Sequence, residues 1–288
     1  MNIRKVSSSE YKKHFSNINK LGFTKIKSFF SEKISKKILG LVINHQGSKR
    51  AKVPAVWNKA NVIYNLQNKD LTFVRLFGNN FFENILKSKL NDPHYRNAPK
   101  NFPNYTLNNL QARSSQNSPL FLHIDSGLPT GDVTTFIQIL VLLEKSTKTT
   151  GCTVVVPKSH LSKKYSNRNQ KKYHYLEGEA GDVFIWDGNL WHGSLPNITE
   201  NSRWAVIGTF CNWIFKPVFD IPRGLPQKIY SKLTLKEKML LGFFGIPPVN
   251  EEERITRSLE MNKLEKQKNK IYKIIFLIIV GFFLKKIL

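Results

Sequence analysis

The pattern of apolar and polar positions changes character near residue 105. From there to residue 216 the chain carries short apolar runs of the β type, separated by turn residues. The runs are TLNNLQARSS, PLFLHID, VTTFIQILVLLE, CTVVVP, GDVFIW and RWAVIGTFCNWIF. Most of them have no helix-length segment between them, which argues against a parallel α/β arrangement and predicts an antiparallel sandwich or barrel.

The part of the chain before this region has a different pattern. Residues 21–30 alternate like a short strand, and a helical repeat with Ser31 as candidate N-cap follows. The apolar face of that helix is formed by Ile34, Ile38, Leu41 and Val42. Residues 61–90 are also predicted to be helical, with a break at 78–80, and the Asn- and Pro-rich stretch 91–104 is predicted to be a loop.

Helical periodicity returns after the β-type region. We predict a single domain over residues 1–260, with a helical part at 20–100, an antiparallel β core at 105–216 and a helical extension at 217–260. A basic and hydrophobic tail, 261–288, lies outside that domain.

The tail contains the uncharged run 274–284, with lysines on both sides. As a helix this run is about 16 Å long, roughly half of a bilayer core, so it is too short to span a membrane. Two alternatives stay open: contact with a membrane surface through 261–288, with lysines at the headgroups, or docking on the domain or on a second subunit.

Composition and charge narrow the class of protein. A hydrophobic content of 41% excludes a disordered or fibrous chain. Cys152 and Cys211 lack the spacing of a zinc or redox motif, and the N-terminus has no apolar run of signal-peptide length, so we expect a cytoplasmic protein. The net charge of +25 comes from lysines spread along the whole chain, which favours solvated side chains over a specific nucleic-acid partner.

The first candidate for chemistry is the string His123-Ile124-Asp125. Side chains at positions i and i+2 of a strand point to the same face, so one imidazole and one carboxylate can meet at a point. His192, after the run GDVFIW, is a candidate third ligand. Two His and one carboxylate leave open positions on an octahedral metal, which suits non-haem Fe(II) chemistry.

Arg203 adds a second functional group. It lies eleven residues after His192, at the start of the next apolar run. A guanidinium on a neighbouring strand can bind the far carboxylate of a cosubstrate whose other end chelates the metal. A surface arginine that precedes a strand is the alternative.

Together these motifs resemble a known family. The chain has H-I-D, then GCTVVVPKSH at 151–160, AGDVFIWDGNLWHGSLPN at 180–197 and NSRWA at 201–205. Their order and spacing resemble the phytanoyl-CoA dioxygenase family of Fe(II)- and 2-oxoglutarate-dependent oxygenases, over roughly residues 20–250. The resemblance implies an α+β, mainly β fold: a double-stranded β-helix, or cupin-like jelly-roll barrel, with flanking helices.

The same resemblance implies roles for individual residues. His123, Asp125 and His192 would be the catalytic iron ligands, Arg203 and Ser194 would bind the C5 carboxylate of 2-oxoglutarate, and Gln111 would contact the cosubstrate. The cofactors would be Fe(II), 2-oxoglutarate as cosubstrate, and O2. The reaction would hydroxylate a substrate with release of succinate and CO2. Some relatives that halogenate lack the carboxylate ligand, so Asp125 favours hydroxylation.

The chain departs from the family pattern in two places. Lys158 stands where the family often has a turn glycine, and Leu140 stands where some members have an aromatic beside the cosubstrate. We expect His160 to be a structural hydrogen-bonding residue, and Trp191, next to His192, is a candidate for the pocket wall.

The motifs leave the substrate open. The basic stretch 161–175 favours an anionic small molecule, and the tail suggests a lipid-like one. A nucleic-acid demethylating dioxygenase with the same ligands is one alternative function, and a jelly-roll binding protein without turnover is another. The sequence does not define the oligomeric state.

Overall fold

The fold is described by a computed structural model for residues 4–45, 62–92, 94–96, 98, 102–167 and 169–255. Its helices are α1 (Ser8–Leu21), α2 (Glu32–His45), α3 (Leu71–Phe77), α4 (Asn80–Leu90), α5 (Ile221–Gly224), α6 (Gln227–Tyr230) and α7 (Leu235–Leu240). Its strands are β1 (Phe23–Ile26), β2 (Val62–Tyr64), β3 (Tyr105–Ser114), β4 (Leu120–His123), β5 (Phe136–Leu142), β6 (Thr153–Val155), β7 (His174–Leu176), β8 (Val183–Asp187), β9 (His192–Ser194) and β10 (Trp204–Asn212).

The strands form two antiparallel sheets. The larger has six strands in the order β1-β8-β5-β10-β3-β2, and the smaller has four in the order β4-β9-β6-β7. Neighbouring strands of both sheets pair in the antiparallel sense. With helices flanking the sheets, this arrangement confirms the predicted mainly β, jelly-roll class of fold.

Strand β5, at the centre of the larger sheet, is buried on both faces. In β5, Ile137, Ile139 and Val141 belong to a core that includes helical residues such as Phe82 of α4. Leu140, between them, belongs to a second core that also contains Val155 of the smaller sheet. Because successive side chains of a strand point to opposite faces, the alternation places one core against the helices and the other between the sheets.

The predicted local elements are found in the structure, which adds α1, β2 and the short strands β7 and β9. β1 lies inside the predicted strand 21–30, and α2 begins directly after Ser31, whose hydroxyl accepts a hydrogen bond from the Ile34 amide. The sequence analysis missed α1, which begins with a capping box between Ser7 and Glu10. It also missed β2, which lies at the start of the segment predicted to be helical.

The expectation of membrane association requires correction. Among the described residues, no helix is both long enough and apolar enough to cross a membrane. The tail 261–288, on which the expectation depended, lies outside the described residues. The division into a domain at 1–260 and this tail stays a prediction.

Candidate metal centre

The two histidines of the candidate triad meet on neighbouring strands. His123 ends β4 and His192 begins β9, and the two are direct partners in the antiparallel register of these strands. Their ring centroids are 4.3 Å apart. Asp125 follows β4 by two residues, so its carboxylate returns to the face occupied by His123.

The three side chains converge on one point. Nε2 of His192 is 3.1 Å from Oδ2 of Asp125, and Nε2 of His123 is 3.7 Å from Oδ1. One ligand atom from each residue lies within 4.8 Å of the other two. Two imidazole nitrogens and one carboxylate oxygen at this spacing fit a single divalent transition metal.

Backbone carbonyls fix the orientation of both imidazole rings. Nδ1 of His123 lies 2.9 Å from the carbonyl oxygen of Phe121, and Nδ1 of His192 lies 2.9 Å from that of Leu190. A carbonyl only accepts hydrogen bonds, so in each ring Nδ1 carries the proton and donates it. When the ring is neutral, Nε2 then keeps its lone pair toward the centre, as a metal ligand requires.

The electrostatic environment keeps the carboxylate charged. Burial by itself would raise the pKa of Asp125, but the neighbouring His192 and His123 and a hydrogen bond from Gln138 outweigh it and hold the pKa at about 2. Burial also lowers the pKa of His123, and proximity to His192 lowers it further. For His192 the carboxylate of Asp125 outweighs burial and raises the pKa.

A tight turn after β8 holds the backbone of Asp125. The carbonyl oxygen of Gly188 accepts hydrogen bonds from the amides of Asp125 (2.8 Å) and Ser126 (3.2 Å). A Cβ on Gly188 would lie 2.5 Å from the Cβ of Phe136, so only glycine allows this approach. The next residue, Asn189, accepts from the Ser126 hydroxyl at 2.7 Å and donates to the Thr130 hydroxyl at 2.9 Å.

The triad lines a cavity of about 160 Å³ between the two sheets. Gln111 of β3, Ser194 of β9 and Arg203 before β10, the three residues predicted to contact the cosubstrate, line the same cavity. The structure therefore brings all six candidate site residues together. The roles assigned to them stay predictions.

Arg203 is a buried cation with little local compensation. It is 6% exposed, and its Nη2 donates to the carbonyl oxygen of Gly151 at 2.5 Å. Its Nε has no hydrogen-bond partner, and no acidic side chain in the described part of the chain forms an ion pair with it. Burial lowers the pKa of Arg203 to about 10, so the guanidinium is still protonated at neutral pH. This placement excludes the surface-arginine alternative and favours an anionic ligand.

Three of the cavity residues that were not predicted from the sequence bear directly on the chemistry of the site. They are Arg113 of β3, Gln138 of β5 and Trp186 of β8. Gln138 had a signal in the sequence, since it is the one polar residue in the apolar run Phe136–Leu142. Trp186, whose ring centroid is 5.2 Å from that of His192, lines the cavity, whereas Trp191 uses its Nε1 to donate to the carbonyl oxygen of Lys164.

The two departures from the family pattern have local explanations. Lys158 adopts a left-handed conformation with φ of 69°, as a turn glycine would, so the turn is kept with some backbone strain. Leu140 is buried and lines the cavity without an aromatic ring. His160 is buried and lies 3.1 Å from the carbonyl oxygen of Asn19 through its Nε2, in agreement with the structural role expected for it.

Comparison with known proteins identifies the family. The family model described as phytanoyl-CoA dioxygenase (PhyH) matches residues 18–205, which is more than half of the chain. The chain belongs to the phytanoyl-CoA dioxygenase family. The resemblance to this family that the sequence motifs indicate is thereby confirmed.

Individual relatives of this PhyH-family protein are distant. An uncharacterised protein of Mycobacterium tuberculosis is 29% identical over 125 residues, which are 41% of this chain and 44% of that protein. Dioxygenase himG of Aspergillus japonicus is 25% identical over 173 residues, 53% of each chain. The chain thus matches less than half of the length of the first of these relatives.

Solved structures support the fold. The epimerase SnoN, solved in complex with Fe3+, alpha-ketoglutarate and nogalamycin RO, superposes with a TM-score of 0.54 at 15% sequence identity. The match covers 72% of this chain and 85% of SnoN. At this level of identity the match supports the PhyH-type fold alone.

Proposed function

We propose that this protein is an Fe(II)- and 2-oxoglutarate-dependent hydroxylase that acts on a small anionic organic substrate. The observation that carries the proposal is the presence of two complementary features in one cavity. These are a His-Asp-His triad with both Nε2 atoms turned inward and a buried guanidinium, Arg203, without an acidic partner among the described residues.

The residues of the cavity have distinct tasks in this proposal. His123, Asp125 and His192 hold the iron, and Arg203 with Ser194 binds the C5 carboxylate of 2-oxoglutarate. When bound, the iron and its cosubstrate supply the oxidising power, since O2 gives one oxygen atom to the succinate product and one to the substrate. The buried side chains of Leu140 and Trp186 line the same cavity and exclude water from it.

Positive charge around the cavity supports an anionic substrate. Arg113 lines the cavity and forms no ion pair with any described residue. The basic stretch 161–175 is held against the metal-binding strand, because the Ser166 hydroxyl donates to the carbonyl oxygen of Leu122 at 2.7 Å. Part of this basic stretch therefore lies beside the strand that ends at His123, and positive charge there attracts anions.

The reaction type is tested by the products. The purified protein with Fe(II), O2 and 2-oxoglutarate is incubated with a panel of small carboxylates and phosphates, and succinate and substrate mass are measured. Hydroxylation predicts one succinate and one added oxygen atom per turnover, both lost in Asp125→Ala. If succinate forms but the mass of the substrate does not change, the reaction is not a hydroxylation. An epimerisation, as in the epimerase SnoN, would then be the better assignment.

The two alternative functions differ from this proposal in their expected partners and products. We propose that the protein needs no nucleic acid, because the lysines are spread over the chain and the cavity is small. Salt-dependent binding of a duplex with removal of methyl groups from its bases would contradict this proposal. Absence of succinate with every substrate, together with tight ligand binding, would favour the binding-protein alternative.

A further inference from the structure

Gln138 is out of place in its strand. The other residues of β5 are Phe136, Ile137, Ile139, Leu140, Val141 and Leu142, and every position of the strand is buried. A buried amide destabilises a protein unless its hydrogen bonds are satisfied. A glutamine at the centre of the larger sheet therefore requires partners, and it has one at each end of its amide.

The two partners connect the strand to the metal centre. Nε2 of Gln138 donates to Oδ2 of Asp125, and Oε1 of Gln138 accepts a hydrogen bond of 3.1 Å from the hydroxyl of Thr209. Thr209 lies directly opposite Gln138 in the register of β10 and β5. Both residues are 7% exposed, so most of their surface is shielded from solvent.

The direction of both hydrogen bonds follows from the chemistry of the groups. An ionised carboxylate only accepts, so the NH₂ end of the Gln138 amide must face Asp125. The oxygen end must then face Thr209, whose hydroxyl can only donate to it. The orientation of the amide is thus fixed from both sides.

We infer that Thr209 and Gln138 are positioning residues that set the orientation of the Asp125 carboxylate for metal binding, an inference that rests on the proposed function. We call the three residues the Thr209–Gln138–Asp125 relay. The amide restrains Oδ2 and so limits rotation of the carboxylate between the two imidazoles. Partners of metal ligands commonly contribute to metal affinity in this way.

Four variants test the relay through metal binding instead of turnover. Gln138→Met keeps the length of the side chain and removes the donor, and Thr209→Val removes only the hydroxyl. Thr209→Ser restores the hydroxyl as the conservative variant. The matched control is Thr106→Val, a buried threonine of β3 in the same sheet, which is not among the residues lining the cavity.

The affinity for Co(II), a spectroscopic substitute for Fe(II), is measured by titration without oxygen, together with the d–d spectrum and Tm. We expect Gln138→Met to bind Co(II) about 10- to 100-fold more weakly with a changed spectrum. Thr209→Val should show a smaller change in the same direction. Thr209→Ser and Thr106→Val should bind Co(II) like the wild type.

Unchanged Co(II) affinity and spectrum in Gln138→Met, with only a lower Tm, would overturn the relay and leave Gln138 as a packing residue. If Gln138→Met does not fold, the comparison of Thr209→Val with Thr209→Ser decides, and equal Co(II) affinities of those two would overturn it. If His192→Ala binds Co(II) as tightly as the wild type does, the proposed function and the relay are both overturned.

Discussion

A buried guanidinium that lacks an acidic partner among the described residues is costly for the fold, and Arg203 is such a group. Within the described part of the chain its side chain makes one hydrogen bond, to the Gly151 carbonyl oxygen, which leaves most of its donors available for a ligand. Charge-assisted hydrogen bonds to a carboxylate are worth about 1.5–3 kcal/mol each. Arg203 therefore lowers the stability of the ligand-free protein and provides a binding group for an anion.

Arg203→Met separates these two effects. We expect the affinity for 2-oxoglutarate in the metal-loaded protein to fall at least about tenfold, because a charge-assisted bond is lost. The Tm of the ligand-free protein should stay equal or rise, because a buried charge is removed. Calorimetry and thermal unfolding measure both.

The matched control for this substitution is Arg223→Met, at an exposed arginine of α5. It should leave both quantities unchanged. A lower Tm with unaltered 2-oxoglutarate affinity in Arg203→Met would instead make Arg203 a structural residue.

At the scale of elements, the turn between β8 and β9 positions the backbone of the metal ligand Asp125. It begins at Asp187, which accepts hydrogen bonds from the Asn189 amide and the Thr134 hydroxyl. Gly188 then contacts Asp125 through its carbonyl oxygen. One short turn thus fixes a ligand on another strand and the loop that follows that ligand.

Gly188→Ala is expected to weaken both the fold and the metal site. The added Cβ would meet Phe136 at 2.5 Å, so the turn must shift, and overpacking of this kind destabilises by about 1–3 kcal/mol. Because the turn holds the Asp125 amide, Co(II) affinity should fall as well. Denaturant unfolding and Co(II) titration measure the two effects.

Gly40→Ala is the matched control within the same chain. Gly40 lies inside α2, and a Cβ there would meet nothing within 4 Å. Alanine should therefore stabilise the protein by about 0.5–1 kcal/mol and leave Co(II) affinity unchanged. Equal effects of the two substitutions on Co(II) affinity would contradict the role of the Gly188 turn.

Helix α1 was not predicted from the sequence, although its start carries a local signal. The N-terminal segment is polar and basic, yet Ser7 and Glu10 form a capping box at the start of α1. Ile18 lies on the buried face of this helix. Ser7→Ala should lower the free energy of unfolding by about 1 kcal/mol. Urea unfolding measures this, and an unchanged midpoint would mean that α1 adds little to stability.

At the scale of the whole molecule, the local sequence pattern predicts the three ligands of the triad but not the residues that hydrogen-bond to them. Strand periodicity places His123 and Asp125 on one face, and the motif spacing supplies His192 and Arg203. The contact between Gln138 and Asp125 depends on how β5 passes the loop after β4, which is a tertiary feature that no short window contains. β2 is short and pairs with β3, so its strand structure also depends on a distant partner.

The central claim is that one cavity binds iron through the triad and 2-oxoglutarate through Arg203. Titration of the purified protein with Fe(II) and 2-oxoglutarate under exclusion of oxygen tests it most directly, because an iron complex of a 2-oxo acid absorbs visible light. We predict that a visible absorption band forms in the wild type and is lost in His192→Ala. In Arg203→Met the same band should require a much higher concentration of 2-oxoglutarate. A folded wild type that forms no band, or a band that survives in His192→Ala, would contradict the account.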